Sequence, residues 1–535
     1  MGSSVSPVVP RCSAKSSRPH RIFSGSGRDP TGSAAPASPA RPRRRRCGGG
    51  CRLAVQPFVP SGGLLGGSPD PNGRCPGAAA GRKGGRMRRV RRLAVLATVT
   101  AMSVGTVVLS AGSPAGAVPG SRASAAGKSA DFNGDGYGDL AVSANGYAVV
   151  MYGTRTGLSG SRHQVLAGDP ASAGAYSLMT GGDLDGDGYD DLVVGDHGSV
   201  PATSIVWGGP EGLSGRTPLS SFPGPMVVGD FDGDGENDLV ASVDVGYGRS
   251  ETRLFRGPFG RDGTNVSTSV VNTGVSPGSL AAGDVNGDHV SDLLSVGRHS
   301  GSADASLVLG SKNGFGPVKD FSTKVDSGSL ADVDGDGYAD VVLGAGLEGY
   351  QPKGVVGGSV VVRYGGAGGV SSTRKPVRIG QDTAGVPGTG EKYDRFGYDL
   401  DTGDVDGDGY ADVAIGVMQE SISGVSTTGA VTVLRGSSKG LTGTGAVSWH
   451  QNTAGVPGAD EPYDMFGSQV SLIDMNGDGR SELATGTDHE NGTEGNLWYF
   501  RSGSKGLTTN QVVSVGPRTV GLTAKYRYFA RWLAG

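Results

Sequence analysis

The sequence predicts an all-β fold, a seven-bladed β-propeller of four-stranded antiparallel blades whose ring is closed by the C-terminal strand. The first observation behind this prediction is an acidic nonapeptide that recurs seven times from Asp131 onwards, at spacings of 47 to 72 residues. The second is the glycine content, 99 of 535 residues, which is typical of many tight turns between short strands. The third is a strand pattern that ends the chain but is missing before the first nonapeptide. A unit repeated at this period cannot bury its apolar face alone, so it predicts an array or a propeller.

Two short apolar runs and a glycine turn follow each nonapeptide. In the sixth unit the runs are 413–415 and 431–434, and the turn is 436–441. β-Branched residues bounded by turn residues at this density favour antiparallel strands, about four in each unit. Helical periodicity is missing from this part of the sequence.

Closure of the ring follows from the strand that should precede each nonapeptide. Residues 396–403 and 466–473 form this strand before the sixth and seventh copies, and both begin with Phe-Gly. The first copy has no such strand, but residues 529–535 at the end of the chain match the pattern. An open array would leave unpaired sheet edges. We therefore expect the C-terminal segment to supply the first strand of blade one.

The nonapeptide places oxygen-bearing side chains at positions 1, 3, 5 and 9, where they can surround one cation. Calcium takes roughly six to eight oxygen ligands, and close carboxylates repel one another unless a cation lies between them. Glycines at positions 4 and 6 are expected to adopt positive φ in the tight turn. The sequence therefore predicts up to seven Ca²⁺ sites. Their predicted ligands are Asp131, Asn133, Asp135 and Asp139; Asp183, Asp185, Asp187 and Asp191; Asp230, Asp232, Asp234 and Asp238; Asp284, Asn286, Asp288 and Asp292; Asp332, Asp334, Asp336 and Asp340; Asp404, Asp406, Asp408 and Asp412; and Asp474, Asn476, Asp478 and Glu482.

Two copies of the nonapeptide depart from the pattern. The fourth has His289 in place of glycine at position 6, and the seventh ends in Glu482, one methylene longer than Asp. Both are expected to bind calcium more weakly. An EF-hand loop would need an acid at position 12, but Val142 and Ile415 stand there in the first and sixth copies. The ions are expected to stabilise the blades rather than to catalyse a reaction.

The N-terminal part divides into an extension and a targeting segment. Residues 1–86 are basic and rich in glycine and proline, and we expect them to be disordered and to lie outside the translated protein if Met87 is the true start. Residues 87–117 combine a basic start, an apolar stretch and a small-residue end, which predicts a signal peptide. We expect residues 118–535 to be the secreted propeller, without a membrane span.

The net charge of the predicted mature domain argues against nucleic acid and anionic membranes as partners. Residues 118–535 carry 29 basic and 49 acidic side chains, so the predicted mature domain is strongly acidic. Such a domain repels nucleic acid and anionic membranes and attracts divalent cations. All four cysteines lie in the first 86 residues, and they do not complete a zinc site.

Residues 396–416 resemble the FG-GAP repeat of integrin α-subunit propellers and their secreted bacterial relatives. The resemblance covers about residues 129–535, although the first five copies lack a clean Phe-Gly. It implies a seven-bladed propeller with calcium loops on one face and cell adhesion or ligand binding on the other. The expected partner is an extracellular protein or polysaccharide, and the expected state is a monomer.

The sequence offers little evidence of an enzyme. Residues 436–440 match the G-x-S-x-G nucleophile elbow, but the motif needs a strand–turn–helix context and here it lies in a recurring hairpin turn. The histidines stand singly. We therefore expect a binding protein. The alternatives are a carbohydrate-binding propeller lectin and an extracellular hydrolase or lyase with a site at the propeller mouth.

The binding surface is predicted on the face opposite the calcium loops. Connections 347–358, 381–394, 418–429, 451–464 and 488–495 are the longest of their kind and lie in the last three blades. Variable loops on a rigid scaffold commonly carry binding. The side chains expected to be exposed there are Tyr350, Tyr393, Tyr463, Glu420, Glu461 and His489. Arg435, in a strand-end turn of the other face, is expected to be neutral to binding.

Overall fold

The computed structural model describes residues 130–167, 176–196, 202–219, 222, 224–246, 249–297, 304–523 and 528–535. The extension 1–86 and the signal peptide 87–117 lie outside the described residues, so their predictions stay predictions. Among the described residues, no helix has the length and apolar character needed to cross a membrane.

Strands dominate the described residues. In chain order they are β1 (Leu140–Ala144), β2 (Tyr147–Met151), β3 (His163–Ala167), β4 (Tyr176–Gly182), β5 (Asp191–Asp196), β6 (Ala202–Trp207), β7 (Ser214–Leu219), β8 (Met226–Gly229), β9 (Asp238–Asp244), β10 (Ser250–Arg256), β11 (Ser267–Val271), β12 (Pro277–Gly283), β13 (Asp292–Gly297), β14 (Asp304–Val308), β15 (Lys319–Lys324), β16 (Ser327–Ala331), β17 (Asp340–Ala345), β18 (Ser359–Arg363), β19 (Val377–Ile379), β20 (Phe396–Gly403), β21 (Asp412–Val417), β22 (Ala430–Arg435), β23 (Thr442–Trp449), β24 (Gln469–Ile473), β25 (Glu482–Thr487), β26 (Asn496–Phe500), β27 (Val513–Val515) and β28 (Leu533–Ala534). Two short helical turns, Glu348–Tyr350 and Glu490–Thr493, lie in the connections between the second and third strands of blades five and seven.

The strands form seven four-stranded antiparallel sheets, which are the blades of the predicted propeller. Blade one has the order β28-β1-β2-β3, and each later blade takes the next four strands in sequence. The predicted fold class is therefore confirmed. In blades two to seven the nonapeptide loop joins the first and second strands, and in blade one it directly precedes the second strand, β1. We call the end of the blades that carries these loops the loop face and the other end the opposite face.

The C-terminal segment closes the ring as predicted. Strand β28 pairs with β1 through the partners Ala141–Ala534 and Val142–Leu533. The Ser143 backbone extends this contact, since its N–H donates to the Trp532 carbonyl and its carbonyl accepts from the Ala530 N–H. The paired strand is only two residues long. Phe529, just before it, is fully buried in the core shared by blades seven and one.

The hydrophobic core lies between blades rather than within them. Seven clusters of buried side chains each combine residues of two neighbouring blades, one cluster for each of the seven blade interfaces. Val150 of β2, for example, shares a cluster with Val194 of β5. Full burial of such a side chain contributes roughly 1.5–3 kcal/mol. Since each blade buries its faces only against its neighbours, the ring stabilises all seven blades together.

Candidate metal centres

The backbone of every nonapeptide wraps around the side chain of its first residue. In the sixth loop, Asp404 Oδ1 accepts from the Gly407 N–H at 2.7 Å and Oδ2 accepts from the Gly409 N–H at 2.8 Å. The bond from the position-6 N–H to the position-1 carboxylate recurs in all seven loops. The carboxylate at position 1 is therefore held at the centre of the turn by the chain that surrounds it.

The two glycine positions of the loop are required for different reasons. Gly335, at position 4 of the fifth loop, has φ of 72°, and a Cβ there would lie 2.7 Å from the Tyr410 ring of the next loop. Gly337, at position 6, has φ of 91° but would place a Cβ in open space. His289 occupies position 6 of the fourth loop at φ of 66°. Histidine fits there sterically at the cost of an unfavourable left-handed backbone.

Carboxylates converge in the four loops that have Asp at position 3. Ligand atoms of three acids lie within 4.8 Å of one another in each of these loops. The sets are Asp183, Asp185 and Asp191; Asp230, Asp232 and Asp234; Asp332, Asp334 and Asp336; and Asp404, Asp406 and Asp412. The first, fourth and seventh loops have asparagine at position 3, so they offer fewer carboxylates. The structure thus divides the predicted sites into two classes.

Unpartnered oxygens show that these loops fit a cation. The Oδ1 atoms of Asp185, Asp232 and Asp406, all at position 3, are buried and accept no hydrogen bond. A buried polar atom normally has a partner, and the same atom lacks one in three separate loops. Hard oxygen donors around a turn are the ligands that Ca²⁺ prefers. The predicted ligands in these loops would hold the ion, and its chemistry there would be charge neutralisation.

Arginine side chains also enter six of the seven loops, which the sequence analysis did not predict. Their guanidinium groups pair with acids at positions 3, 5 or 9. The pairs are Arg162 with Asp135, Arg261 with Asp185 and Asp187, Arg256 with Asp232, Arg374 with Asp334, Arg435 with Asp406 and Asp412, and Arg480 with Asp478. Among the described residues the fourth loop has no such arginine. In that loop His289 Nδ1 lies 3.9 Å from Asp284 Oδ2.

Arg435, whose substitution is expected to leave ligand binding unchanged, is one of these arginines. Arg435 contacts two predicted calcium ligands, with its Nη1 lying 3.2 Å from Asp412 Oδ2. Its side chain is 17% exposed. A substitution there would disturb the sixth loop, because both acids would lose their basic partner.

The position-9 acid ties each loop to the glycine turn of its own blade. In the sixth loop, Asp412 is buried and accepts from the Val405 N–H at 3.0 Å and the Gly436 N–H at 2.8 Å. Five other loops have the same two bonds. In the seventh, Glu482 accepts from the Met475 N–H and the Ser502 hydroxyl, so the longer side chain reaches a different donor. Burial raises the pKa of this acid to about 7 in six loops and to about 6 in the third.

Hydrogen bonds also join each loop to the next around the ring. The Ala411 N–H of the sixth loop donates to the Asp332 carbonyl of the fifth, and the Gly138 N–H of the first donates to Asp474 of the seventh. Between the second and third loops the Asn237 side chain makes the link, donating to the Asp183 carbonyl. A cation that orders one loop therefore acts on the neighbouring blades as well.

A cavity of about 460 Å³ lies between the innermost strands, and its walls include Asp399 and Asp401. Asp399 accepts from the Val470 N–H and Asp401 from the Leu472 N–H, both at 2.9 Å. Burial raises the pKa of Asp399 to about 7. These carboxylates join strand β20 to strand β24 of the next blade, so they have a structural role at the centre of the ring.

On the opposite face the predicted side chains divide into exposed and partly buried groups. Tyr393 is 66% exposed and Tyr463 is 63% exposed, and Glu461 is also exposed. Tyr350, Glu420 and His489 are partly buried. Glu420 is less exposed than predicted because Gln381 of another connection donates to it, whereas the His489 side chain is still 39% exposed.

Two histidines have acidic partners that the sequence analysis missed. His450 Nδ1 lies 2.8 Å from Asp460 Oδ2, and His489 Nδ1 lies 2.6 Å from Asp488 Oδ1. The hydrogen bond to Asp488 raises the pKa of His489. The His489–Asp488 pair could have been found because the two residues are adjacent in the chain, whereas no sequence pattern marks the His450–Asp460 pair. The G-x-S-x-G match lies in the turn between β22 and β23, two strands, without the helix that a nucleophile elbow requires.

Two protein-family models match the repeats of this chain. The FG-GAP repeat family matches residues 325–362, 396–434 and 466–500, and the FG-GAP-like repeat family matches 131–194 and 230–295. No curated protein matches the chain.

Three solved structures are similar at low identity. A chain of a nidogen/laminin complex is 11% identical, over 56% of this chain and 89% of that one, with a TM-score of 0.32. A chain in the crystal structure of BBS1N in complex with ARL6DN, soaked with lead, is 11% identical over 68% and 88%, with a TM-score of 0.39. A chain of the Photorhabdus luminescens Tc holotoxin pore is 16% identical over 66% and 17%, with a TM-score of 0.33.

Proposed function

Because this chain is an FG-GAP-repeat β-propeller, we propose that it is a secreted, calcium-stabilised protein that binds an extracellular ligand and catalyses no reaction. The observation that carries the proposal is the ring of nonapeptide loops, in which three carboxylates converge in four loops and a position-3 oxygen lacks a partner in three. Carboxylates gathered this closely favour a bound cation. Hydrogen bonds between successive loops would spread its effect over the ring.

The proposed binding surface is the opposite face at blades five to seven. Tyr393 and Tyr463 project from equivalent connections and are each more than 60% exposed. Exposed tyrosines supply rigid contact area with a polar end, which suits both protein and polysaccharide ligands. The acidic charge of the predicted mature domain argues against nucleic acid as the partner.

Calcium dependence is tested by thermal unfolding of the full chain in calcium and in chelator. A ligand that binds only the folded state raises its stability with the logarithm of saturation. We expect calcium to raise the unfolding temperature by several degrees, and magnesium to do so less, since Mg²⁺ dehydrates reluctantly. An unfolding temperature that is the same in calcium and in chelator would refute calcium stabilisation.

The binding surface is tested with panels of extracellular-matrix proteins and glycans. The variant Tyr393→Ala/Tyr463→Ala should lose most of the binding, because it removes both exposed aromatic rings. Val270→Ala is the matched control, since Val270 is 65% exposed on the outer strand of blade three. Equal binding by both variants would move the ligand site away from this face, and signal on the glycan panel alone would identify a lectin.

A further inference from the structure

Connections 381–394 and 451–464 of the opposite face repeat each other in sequence and in conformation. They are identical at 10 of 14 positions. The Thr383 N–H donates to the Gly380 carbonyl at 3.0 Å, and the Thr453 N–H donates to the His450 carbonyl at 2.9 Å. Tyr393 and Tyr463 have φ of 78° and 71°. The chain therefore builds the same local structure twice, between blades five and six and between blades six and seven.

Each copy forms an acidic pocket with a glutamine at its centre. The first pocket contains Gln381, Asp394 and Glu420, and the second contains Gln451, Asp464 and Glu490, whereas the neighbouring Glu391 and Glu461 are exposed. Gln381 Nε2 donates to Glu420 Oε2 at 2.7 Å. In the second pocket, Gln451 Nε2 donates to Glu490 Oε2 at 2.9 Å.

The aspartates are brought to the same places by their own connections. Asp394 Oδ2 accepts from the Glu391 N–H at 2.5 Å, and Asp464 Oδ2 accepts from the Glu461 N–H at 2.9 Å. The Gln419 N–H donates to the Asp394 carbonyl at 3.0 Å, which holds this aspartate beside the segment that carries Glu420. Two segments of neighbouring blades thus contribute acids to one pocket.

The glutamine carbonyl lacks a partner in both pockets. Gln381 is 4% exposed and Gln451 is 1% exposed, and the Oε1 atom of each is buried and accepts no hydrogen bond. Buried amide oxygens normally accept a bond or bind a ligand. The amide is fixed against a carboxylate through its Nε2, which leaves its Oε1 able to accept from or bind a ligand. The same unpartnered atom in two equivalent places indicates a shared ligand that both pockets are built to take.

Negative charge in the pockets has no lysine or arginine partner in the part of the chain that the structure describes, and His450, the basic side chain that acts on Glu420, pairs with Asp460. None of the ion pairs formed there by lysine or arginine includes Asp394, Glu420, Asp464 or Glu490. Burial, followed by repulsion from Glu420 and Glu391, raises the pKa of Asp394 to about 7. Burial and then Asp464 raise the pKa of Glu490 to about 7. Both pockets therefore favour a positively charged ligand.

We propose that each pocket binds one hard divalent cation of the calcium class, through the glutamine Oε1 and two carboxylates, those of Asp394 and Glu420 in the first pocket and of Asp464 and Glu490 in the second. An amide oxygen together with carboxylates is a donor set typical of Ca²⁺. These two sites differ from the nonapeptide loops in sequence, in position and in their lack of arginine. They would link neighbouring blades on the face that carries Tyr393 and Tyr463.

The test counts calcium ions bound to the full chain by equilibrium dialysis with radioactive calcium. The variant Glu420→Gln/Glu490→Gln keeps the side-chain shape and removes one charge from each pocket. We expect it to bind two fewer ions per chain than the wild type, and to unfold in chelator at an equal or higher temperature because like charges no longer repel. Asp382→Asn is the matched control, since the second copy has Asn452 at this position. It should leave the ion count unchanged.

A second variant covers the case in which the first does not fold. Gln381→Glu/Gln451→Glu adds a carboxylate oxygen to each pocket, so it should tighten calcium binding and destabilise the protein only in chelator. An unchanged ion count in the first variant would overturn the proposal, as would equal destabilisation of the second with and without calcium. Either result would leave calcium binding by the nonapeptide loops intact, so the two proposals fail separately.

Discussion

Arginine enters six of the nonapeptide loops, whereas the two acidic pockets of the opposite face have no lysine or arginine partner among the described residues. Both regions bury carboxylates in turns. In the loops, however, the acids are held by backbone N–H groups and guanidinium groups. In the pockets, each aspartate has one backbone N–H donor and each glutamate one glutamine donor, no guanidinium is paired with them, and the glutamine Oε1 has no partner. The same residue types therefore stand in two different electrostatic environments.

Because of this difference, a bound cation is expected to have a different effect on stability in the loops and in the pockets. Burial raises the pKa of the position-9 carboxylates as well, but each keeps its own hydrogen-bond donors in the folded chain, so calcium adds to an existing network. A carboxylate surrounded by other carboxylates is destabilised by burial and repulsion until a proton or cation arrives. The loops should therefore hold much of their shape in chelator, and the pockets should respond more strongly to calcium.

The largest effect is expected from removing an acid that the backbone holds. In Asp412→Ala, the N–H groups of Val405 and Gly436 lose their acceptor inside the sixth blade. Buried donors left unpaired cost about 1–3 kcal/mol each, so the free energy of unfolding should fall by about 3–5 kcal/mol. The loss should occur both in calcium and in chelator. Urea unfolding in the two conditions measures it.

Asp464→Ala provides the matched comparison in the second pocket. It removes a buried acid that repels its neighbours, so its effect in chelator should stay within about 1 kcal/mol. If both substitutions proved equally destabilising in chelator, the contrast between the two regions would be wrong.

The repeated features of this fold could be predicted from the sequence, because each one recurs in a short window. Seven acidic loops gave the blade count, and the unmatched C-terminal pattern located the closing strand at Leu533–Ala534. The positive φ of the loop glycines was predicted from the tight turn. In the structure a Cβ at position 6 of the fifth loop would meet open space, so backbone conformation rather than crowding explains glycine there.

Contacts between distant segments were not predictable in this way. Arg261 reaches Asp185 and Asp187 from 74 or more residues away, and no local pattern marks it. Glu420 was expected at the surface because it lies in one of the long connections, but Gln381 of another connection donates a hydrogen bond to it. Duplication of the 381–394 segment was readable in the sequence, and it is the signal that could have located the pockets.

An intermediate effect is expected from removing the arginine of the sixth loop. Arg435→Gln leaves Asp406 and Asp412 without their guanidinium partner, so stability in chelator should fall by about 1–3 kcal/mol. Calcium would then restore more of the stability than it adds to the wild type, because it neutralises the same acids. Thermal unfolding with and without calcium measures this larger increment.

Arg253→Gln is the control for that experiment, since Arg253 pairs with Glu251 outside any loop. Such a surface pair contributes about 0–1 kcal/mol, and its loss should not change the calcium increment. The same calcium increment in Arg435→Gln and the wild type would show that the guanidinium does not substitute for the ion.

The smallest effect is expected at position 6 of the fourth loop, where no arginine lies among the described residues. His289 has φ of 66°, a conformation that costs a non-glycine residue roughly 1–2 kcal/mol. Glycine removes this strain but loses about 0.5–1 kcal/mol more backbone entropy on folding. His289→Gly should therefore stabilise the protein by at most about 1.5 kcal/mol. The reverse change in the fifth loop, Gly337→His, meets open space and so should destabilise only through its φ of 91°. Urea unfolding measures the free energy of unfolding of both variants. Changes of similar size and opposite sign would show that backbone conformation alone decides which residue suits position 6, and changes of the same sign would refute this explanation.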